Sequence, residues 1–148
     1  MVRYLVYLCL VCFASFGHAE QKKIFDGPDG SEYDFHYIAL ASTFLEPEVA
    51  RQYNLVRSKA IGIINLSLIQ RFPDQTRKAI PMFVKGKATN ELQQPQFLNF
   101  TEIIEGDSVY YIAQVPFSEG KFLQFDFEVF PEGTNKQLVH RFSHAFYN

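Results

Sequence analysis

Three histidines of this sequence are the side chains best suited to metal binding or proton transfer: His36, His140 and His144. A neutral imidazole is a common metal ligand, and it titrates close to physiological pH. In an extended strand, His140 and His144 would lie about 13 Å apart, too far to hold one ion unless a bulge intervenes. Either could instead pair with His36 if the first and last strands are neighbours. The simpler interpretation, imidazoles that are exposed or partly buried in an aromatic-rich sheet, is favoured.

A basic cluster offers a second kind of chemistry. The tripeptide Arg57-Ser58-Lys59 follows Arg51 by one or two helical turns. Cationic groups at one corner could hold a small anion. Alternatively, Arg57 is a structural hub that pairs with a carboxylate such as that of Glu46 or Glu48 and caps carbonyl groups at the helix end. The structural role is favoured, because a guanidinium has five donors that can satisfy several acceptors at once.

Several reaction classes lack their usual residues. Cys9 and Cys12 both lie in an N-terminal segment that we expect to be removed, so their spacing is not interpreted as a redox or zinc motif. Cysteine nucleophiles, iron–sulfur clusters and thiolate zinc sites are therefore excluded from the mature chain. The sequence contains no Gly-x-Ser-x-Gly elbow, no Gly-x-Gly-x-x-Gly motif and no Walker sequence. We expect no cofactor.

The first nineteen residues have the pattern of a secretory signal peptide. Arg3 provides the positive start, residues 4–16 are apolar and uncharged, and Gly17-His18-Ala19 places small residues where a signal peptidase reads them. The apolar run is shorter than the about 20 residues that a membrane helix needs. We predict cleavage after Ala19, export, and no transmembrane span after processing.

Composition indicates one globular domain rich in β-structure. The 148 residues are 47% hydrophobic and 20% charged, with a formal net charge of -2. This length supports one core, and the lack of a broad basic field argues against nucleic acid as a partner. Aromatic residues make up 16% without any tryptophan, which favours strands over helices. We expect a flexible N-terminal arm over residues 20–30 and a single domain over residues 31–148.

The hydrophobic pattern predicts the elements that would position these side chains. Alternating apolar and polar residues between short polar turns predict seven strands. They cover residues 33–41, 60–69, 80–88, 96–104, 108–117, 122–130 and 137–147. One short helix is predicted over residues 46–53, where Pro47 suits a helix start. The expected fold is all-β, an immunoglobulin-like antiparallel β-sandwich of about seven strands with one short helix; a closed barrel is the alternative.

Two aromatic segments could line a ligand groove, namely Tyr110-Tyr111 and the strand over residues 122–130. On that strand, Asp126 and Glu128 alternate outward, and we interpret them as a solvated face rather than as a glycosidase carboxylate pair. A chain without disulfides needs most of its aromatic side chains for packing. The core interpretation of the aromatic residues is therefore favoured over the groove.

Several short motifs together resemble a known family. They are Ser42-Thr43-Phe44-Leu45 followed by Pro47, Val49 and Ala50; Arg57-Ser58-Lys59; Tyr110-Tyr111-Ile112-Ala113; and Phe146-Tyr147. On these residues, from about Tyr33 to Tyr147, the chain resembles DUF4426, a group of small exported proteins of unknown function from Gram-negative bacteria. The resemblance implies a periplasmic β-sandwich and supplies no activity, substrate or catalytic residue.

The expected function is therefore binding rather than catalysis. We expect an exported, non-enzymatic domain that binds a protein or an envelope component through a sheet edge or face, because open edges can add a partner strand. The alternative is a His-based metal-binding protein or an uncharacterised enzyme that uses His36 with His140 or His144.

Overall fold

The computed structural model describes residues 20–148, so the predicted signal peptide over residues 1–19 lies outside the described residues. Ten β-strands and one α-helix occur within this range. The strands are β1 (Gln21–Asp26), β2 (Glu32–Ala41), β3 (Ile61–Arg71), β4 (Arg77–Ala79), β5 (Met82–Thr89), β6 (Pro95–Leu98), β7 (Thr101–Glu105), β8 (Ser108–Pro116), β9 (Phe122–Pro131) and β10 (Leu138–Ala145). The helix, α1 (Pro47–Gln52), lies between β2 and β3, and short 3-10 turns cover Pro28–Gly30 and Ser42–Phe44.

The strands form two antiparallel sheets that pack face to face. Sheet A has the order β1-β2-β3-β8-β7, with β4 paired to the end of β3. Sheet B has the order β10-β9-β5-β6. The prediction of an all-β sandwich with one short helix is confirmed.

The strand count differs from the expected seven at three places. A strand, β1, forms before the predicted domain start, and the short β4 precedes Pro81. The stretch predicted as one strand over residues 96–104 divides into β6 and β7, because the chain passes at Asn99 and Phe100 from sheet B to sheet A.

The segment expected to be a flexible arm over residues 20–30 contains a sheet strand. β1 pairs over its whole length with the first part of β2, from Gln21 opposite Tyr37 to Asp26 opposite Glu32. Its residues are mostly exposed, so burial gives no periodic signal. Backbone hydrogen bonds to the edge of β2 hold it instead, and Phe25 packs against the core.

Aromatic side chains fill the space between the sheets, as the core interpretation predicts. Phe125 and Phe127 on β9 are fully buried, and Phe127 meets Phe35 of sheet A edge to face with ring centroids 6.2 Å apart. Near the C-terminus, Phe146 lies against the backbone of Gly62, where a Cβ atom would come within 2.6 Å of the ring. Only glycine permits this close approach of sheet and ring.

The outer face of sheet A is also covered over part of its area. The helix α1 buries Val49 and Ala50 in a second apolar cluster with Ile38, Leu40 and Ile63. This explains why β2 and β3 are apolar on both faces. No helix within residues 20–148 is long and apolar enough to cross a membrane.

Candidate functional site

A cleft opens at the edge of the sandwich where β5 extends beyond its neighbour β6. Its volume is about 780 Å³. β6 pairs with Gly86–Thr89 of β5, so Met82–Lys85 has no neighbouring strand on that side within the described residues. The cleft therefore lies beside a short open strand edge.

The base of the cleft contains a hydrogen-bond network centred on Tyr111 of β8. Its hydroxyl group donates a hydrogen bond to Glu102 Oε2 at 2.7 Å and accepts one from the backbone N–H of Met82 at 2.8 Å. Because Met82 belongs to sheet B while Tyr111 and Glu102 belong to sheet A, one side chain joins the two sheets. The open part of β5 is thereby held in place from inside the sandwich.

Burial keeps the Tyr111 hydroxyl protonated. The side chain is only 5% exposed, and this desolvation raises the pKa of Tyr111 to about 12, although the hydrogen bond from Met82 opposes the shift. A phenol with this pKa stays protonated near neutral pH. The network therefore serves to position β5 rather than to carry out acid–base chemistry.

Aromatic side chains form the walls of the cleft. Phe97 is 76% exposed and Phe83 is 63% exposed, and both line the opening. Deeper in the cleft, Phe100 lies edge to face with Phe127, with ring centroids 6.1 Å apart. Gly86 provides the space for these two rings, since a Cβ atom there would lie 2.9 Å from Phe127.

The mouth of the cleft carries charges of both signs. Arg141 of β10 forms an ion pair with Asp126 of β9, and Lys87 lies opposite Asp126 on the other side. Burial opposes ionisation of Asp126, but hydrogen bonds from Arg141 and Gln124 and the charges of Arg141 and Lys87 outweigh it and hold the pKa of Asp126 below its usual value. The carboxylate stays charged at neutral pH.

Free backbone groups face the open edge. The N–H of Glu132 donates to the carbonyl oxygen of Pro81. Because the backbone groups of an antiparallel strand alternate in direction, the N–H and C=O groups of Phe83 bond to Phe130 of β9. Those of Val84 point to the opposite side, toward the open edge. β6 does not reach Val84. Its N–H and C=O groups are thus available to an added strand.

The structure does not bring the predicted histidines together. His36 lies on the outer face of sheet A, with Nδ1 2.9 Å from Glu20 Oε1. His140 lies between the sheets, where its ring packs against Tyr37 at a centroid distance of 4.6 Å. β2 and β10 belong to different sheets, and Tyr37 and His36 point to opposite faces of β2. The alternative in which His36 pairs with His140 is therefore not possible in this fold.

The remaining histidine is also placed by packing. His144 lies on the same face of β10 as His140, as the alternation predicts, and its ring centroid is 4.6 Å from that of Phe146. Within residues 20–148, no group of three His, Cys, Asp or Glu side chains is arranged to hold a metal ion.

Arg57 bonds to carbonyl groups rather than to a carboxylate. Its Nε donates to the carbonyl oxygen of Leu45 at 2.7 Å, and Nη2 donates to that of Thr43 at 3.1 Å. These carbonyls lie before α1, not at its C-terminal end as expected, because the chain after the helix runs back past the 3-10 turn. Glu48, one of the two expected partners, pairs with Arg51 instead. The side chain of Arg57 is exposed.

The other two residues of the basic cluster contribute backbone groups. The N–H of Ser58 donates to Ser42 Oγ at 2.8 Å, and the carbonyl oxygen of Lys59 accepts a hydrogen bond from Asn148 Nδ2 at 2.8 Å. The segment that follows α1 is thereby tied both to the 3-10 turn and to the end of the described chain. These backbone contacts are consistent with a structural role for the corner between α1 and β3.

The Tyr111 network was missed by the sequence analysis. Tyr110-Tyr111 was considered as part of a groove. Pro81 marks the entry to β5 but does not indicate its open edge, because its missing N–H faces β9. The partner of Tyr111, however, is a backbone N–H on a strand 29 residues away. Only the packing of the two sheets reveals that contact.

Comparisons with known proteins agree with this architecture. A family model described as "Domain of unknown function (DUF4426)" matches residues 29–148, and no curated protein matches the sequence. The chain is similar to the crystal structure of a DUF4426 family protein from Pseudomonas aeruginosa PAO1, with 29% identity and a TM-score of 0.67 over 84% of this chain and 93% of that one.

Two more distant structures share the fold. FetP of uropathogenic Escherichia coli strain F11, expressed in the periplasm, has 11% identity and a TM-score of 0.53 over 88% of this chain and 97% of that one. A copper-bound variant of the same protein has 12% identity and a TM-score of 0.54 over the same shares.

Proposed function

The chain belongs to the DUF4426 family, and from this premise we propose that it is an exported periplasmic protein that binds an extended segment of a partner protein at the open edge of β5. The observation that carries the proposal is the unpaired stretch Met82–Lys85 beside a cleft with aromatic walls. Strand addition uses the backbone for affinity and neighbouring pockets for selectivity.

The geometry provides both parts of such recognition. Val84 offers one N–H and one C=O toward the position that β6 leaves vacant. An apolar side chain of the added segment would enter the cleft between Phe97 and Phe100. The network of Tyr111 keeps the strand edge in position before the partner arrives, so little ordering is needed on binding.

The cellular location rests on two observations. The first nineteen residues have the signal-peptide pattern, and the distant structural neighbour FetP was expressed in the periplasm. Metal binding is not proposed for the predicted histidines, because His36 and His140 lie on opposite sides of sheet A.

Site-specific photocrosslinking in the periplasm of the native host tests the proposal. A photoreactive phenylalanine analogue replaces Phe97 at the cleft, or Phe122 as an exposed control at the far end of sheet B. We expect the probe at position 97, but not at position 122, to capture one defined segment of a partner protein. A synthetic peptide of that segment should then bind the purified protein.

The variant Val84→Pro supplies the matched control. Proline removes an amide that faces the open edge, so the pairing of β5 with β9 is retained. Capture by the probe at position 97 should be lost while the thermal unfolding midpoint stays close to that of the parent protein. Equal capture from positions 97 and 122, or capture that survives Val84→Pro, would overturn the proposal.

A further inference from the structure

Charges on the outer face of sheet B are arranged in two stripes of opposite sign. The face is formed by outward side chains of β6, β5, β9 and β10. β5 contributes Lys85 and Lys87, and β9 contributes Glu128 and Asp126. The register places Lys85 beside Glu128 and Lys87 beside Asp126. Every positive residue of one stripe thus has a negative residue at the same level of the other.

The same face exposes large apolar side chains. Phe83, Phe97 and Val139 are each more than 60% exposed. On sheet A, by contrast, α1 covers part of the outer face. Four strands of this length give sheet B an open face of about 500 Å² in projection. An exposed surface that combines apolar residues with ordered charges is typical of a protein interface.

We propose that this face binds a second copy of the chain about a twofold axis that lies in the interface, between β5 and β9 and parallel to them. Such a rotation exchanges the positions of the two strands but leaves each residue at the same height along the strand direction, which we call its level. β5 of one copy therefore lies on β9 of the other. Lys85 faces Glu128, Lys87 faces Asp126, and Phe83 faces Phe130, each twice.

The outer strands are complementary under the same rotation. β10 of one copy lies over β6 of the other. Arg141 and Phe97 are at one level, since Arg141 pairs with Asp126, Asp126 with Lys87, and Lys87 with Phe97. A guanidinium over an exposed aromatic ring is a favourable cation–π arrangement. The exposed ring of Phe97 thereby gains a partner.

Sheet twist determines which contacts matter most. Packed sheets keep their mean strand directions within about 30° of each other, and any such angle leaves the contacts best near the axis and weakest at the corners. Lys85 and Glu128 are adjacent to the axis and near the middle of both strands. Their cross-interface contact is the most direct probe of the arrangement.

The dimer is expected to be reversible. A face of this size is smaller than the about 800 Å² that each partner contributes to a standard interface. The central contacts are ionic, so salt should weaken the association. β10 of the second copy would lie over the cleft, so the dimer and a bound partner segment would compete. The dimer itself does not depend on any partner.

Sedimentation equilibrium of the purified protein, with the charge-swapped variants Lys85→Glu and Glu128→Lys, tests the dimer. Each variant alone places like charges opposite each other at two symmetry-related positions. We expect dimerisation of each to weaken by at least about tenfold. In an equal mixture, Glu at position 85 of one variant faces Lys at position 128 of the other, and the parental pair forms at the second position. The mixture should therefore dimerise nearly as well as the parent protein.

Lys78→Glu, on exposed β4 of sheet A, is the matched control and should leave the dissociation constant unchanged. Recovery in the mixture cannot come from misfolded variants, so a folding defect does not imitate the expected result. A parent protein that remains monomeric up to about 1 mM would overturn the proposal. So would variants that dimerise like the parent, or a mixture that fails to recover.

Discussion

The hydroxyl oxygen of Tyr111 lies 2.8 Å from the backbone nitrogen of Met82, and this contact joins the two sheets at the open edge of β5. The same hydroxyl donates to Glu102 on the edge strand of sheet A. A buried phenol thus satisfies a strand N–H that would otherwise lack a partner, because β6 does not extend as far as Met82. The first N–H group of the open edge, that of Met82, is therefore already bonded within the protein.

Tyr111→Phe should destabilise the protein by about 1–2 kcal/mol, because the Met82 N–H and the Glu102 carboxylate both lose a partner. Urea unfolding measures the loss. Tyr147→Phe removes a hydroxyl from an exposed ring and should leave the free energy of unfolding unchanged. Equal effects of the two substitutions would contradict the role of the network.

Acid should destabilise the fold through His140. Burial lowers the pKa of His140, and the charge of Lys23 adds to this shift. In the unfolded chain the imidazole takes up a proton near pH 6.5. Between that pH and the lower folded pKa, the unfolded state binds more protons, so the free energy of unfolding decreases as the pH falls. Below the folded pKa this contribution no longer changes.

The variant His140→Phe isolates this contribution. It retains an aromatic ring beside Tyr37 and cannot be protonated. Unfolding midpoints between pH 7 and pH 5 should fall less steeply for the variant than for the parent protein. Parallel pH profiles would show that His140 is not responsible.

Arg57 should contribute to stability through its two carbonyl partners. Arg57→Ala removes both hydrogen bonds, to Thr43 and Leu45, and should cost about 1 kcal/mol, since the exposed position moderates the effect. Arg57→Lys should be intermediate, because an ammonium group does not reproduce the planar fork. Thermal and urea unfolding measure both variants. Unchanged midpoints in both would favour an anion site over the structural hub, and Arg51→Ala, on the helix surface, is the control.

Processing of the N-terminus can be measured directly. Mass spectrometry of protein produced in a secreting bacterial host should show a chain that begins at Glu20. The mature N-terminus would then lie one residue before β1, close to His36 through the contact of Glu20. Full-length chain in the membrane fraction would contradict the predicted cleavage.

The local alternation of apolar and polar residues was sufficient to predict which side chains of β9 form the core. Phe125 and Phe127 point inward and Asp126 and Glu128 outward on β9, as alternation predicts, because a half-buried strand repeats every two residues. The same rule fails for β1, whose exposed residues carry no burial pattern. That strand forms because the edge of β2 offers unpaired backbone groups.

The candidate site could be predicted only in part. Pro81 marks the entry to a strand with a free edge, and Tyr111 was recognised as an aromatic residue beside a possible groove. Their relationship depends on how far β6 extends along β5 and on how the two sheets are stacked. The partners of Arg57 were predicted wrongly for a similar reason, because tertiary packing decides the direction of the chain after α1.

Amide hydrogen exchange at Val84, followed by NMR in the free protein and with the partner segment identified by crosslinking at position 97, tests the binding proposal most directly. Phe83 is the internal control, because its N–H bonds to β9. In the free protein, Val84 should exchange much faster than Phe83, and the bound segment should slow Val84 by at least about a hundredfold while Phe83 changes little. Protection of Val84 already in the free protein, or fast exchange of Val84 in the complex, would contradict strand addition at the edge of β5.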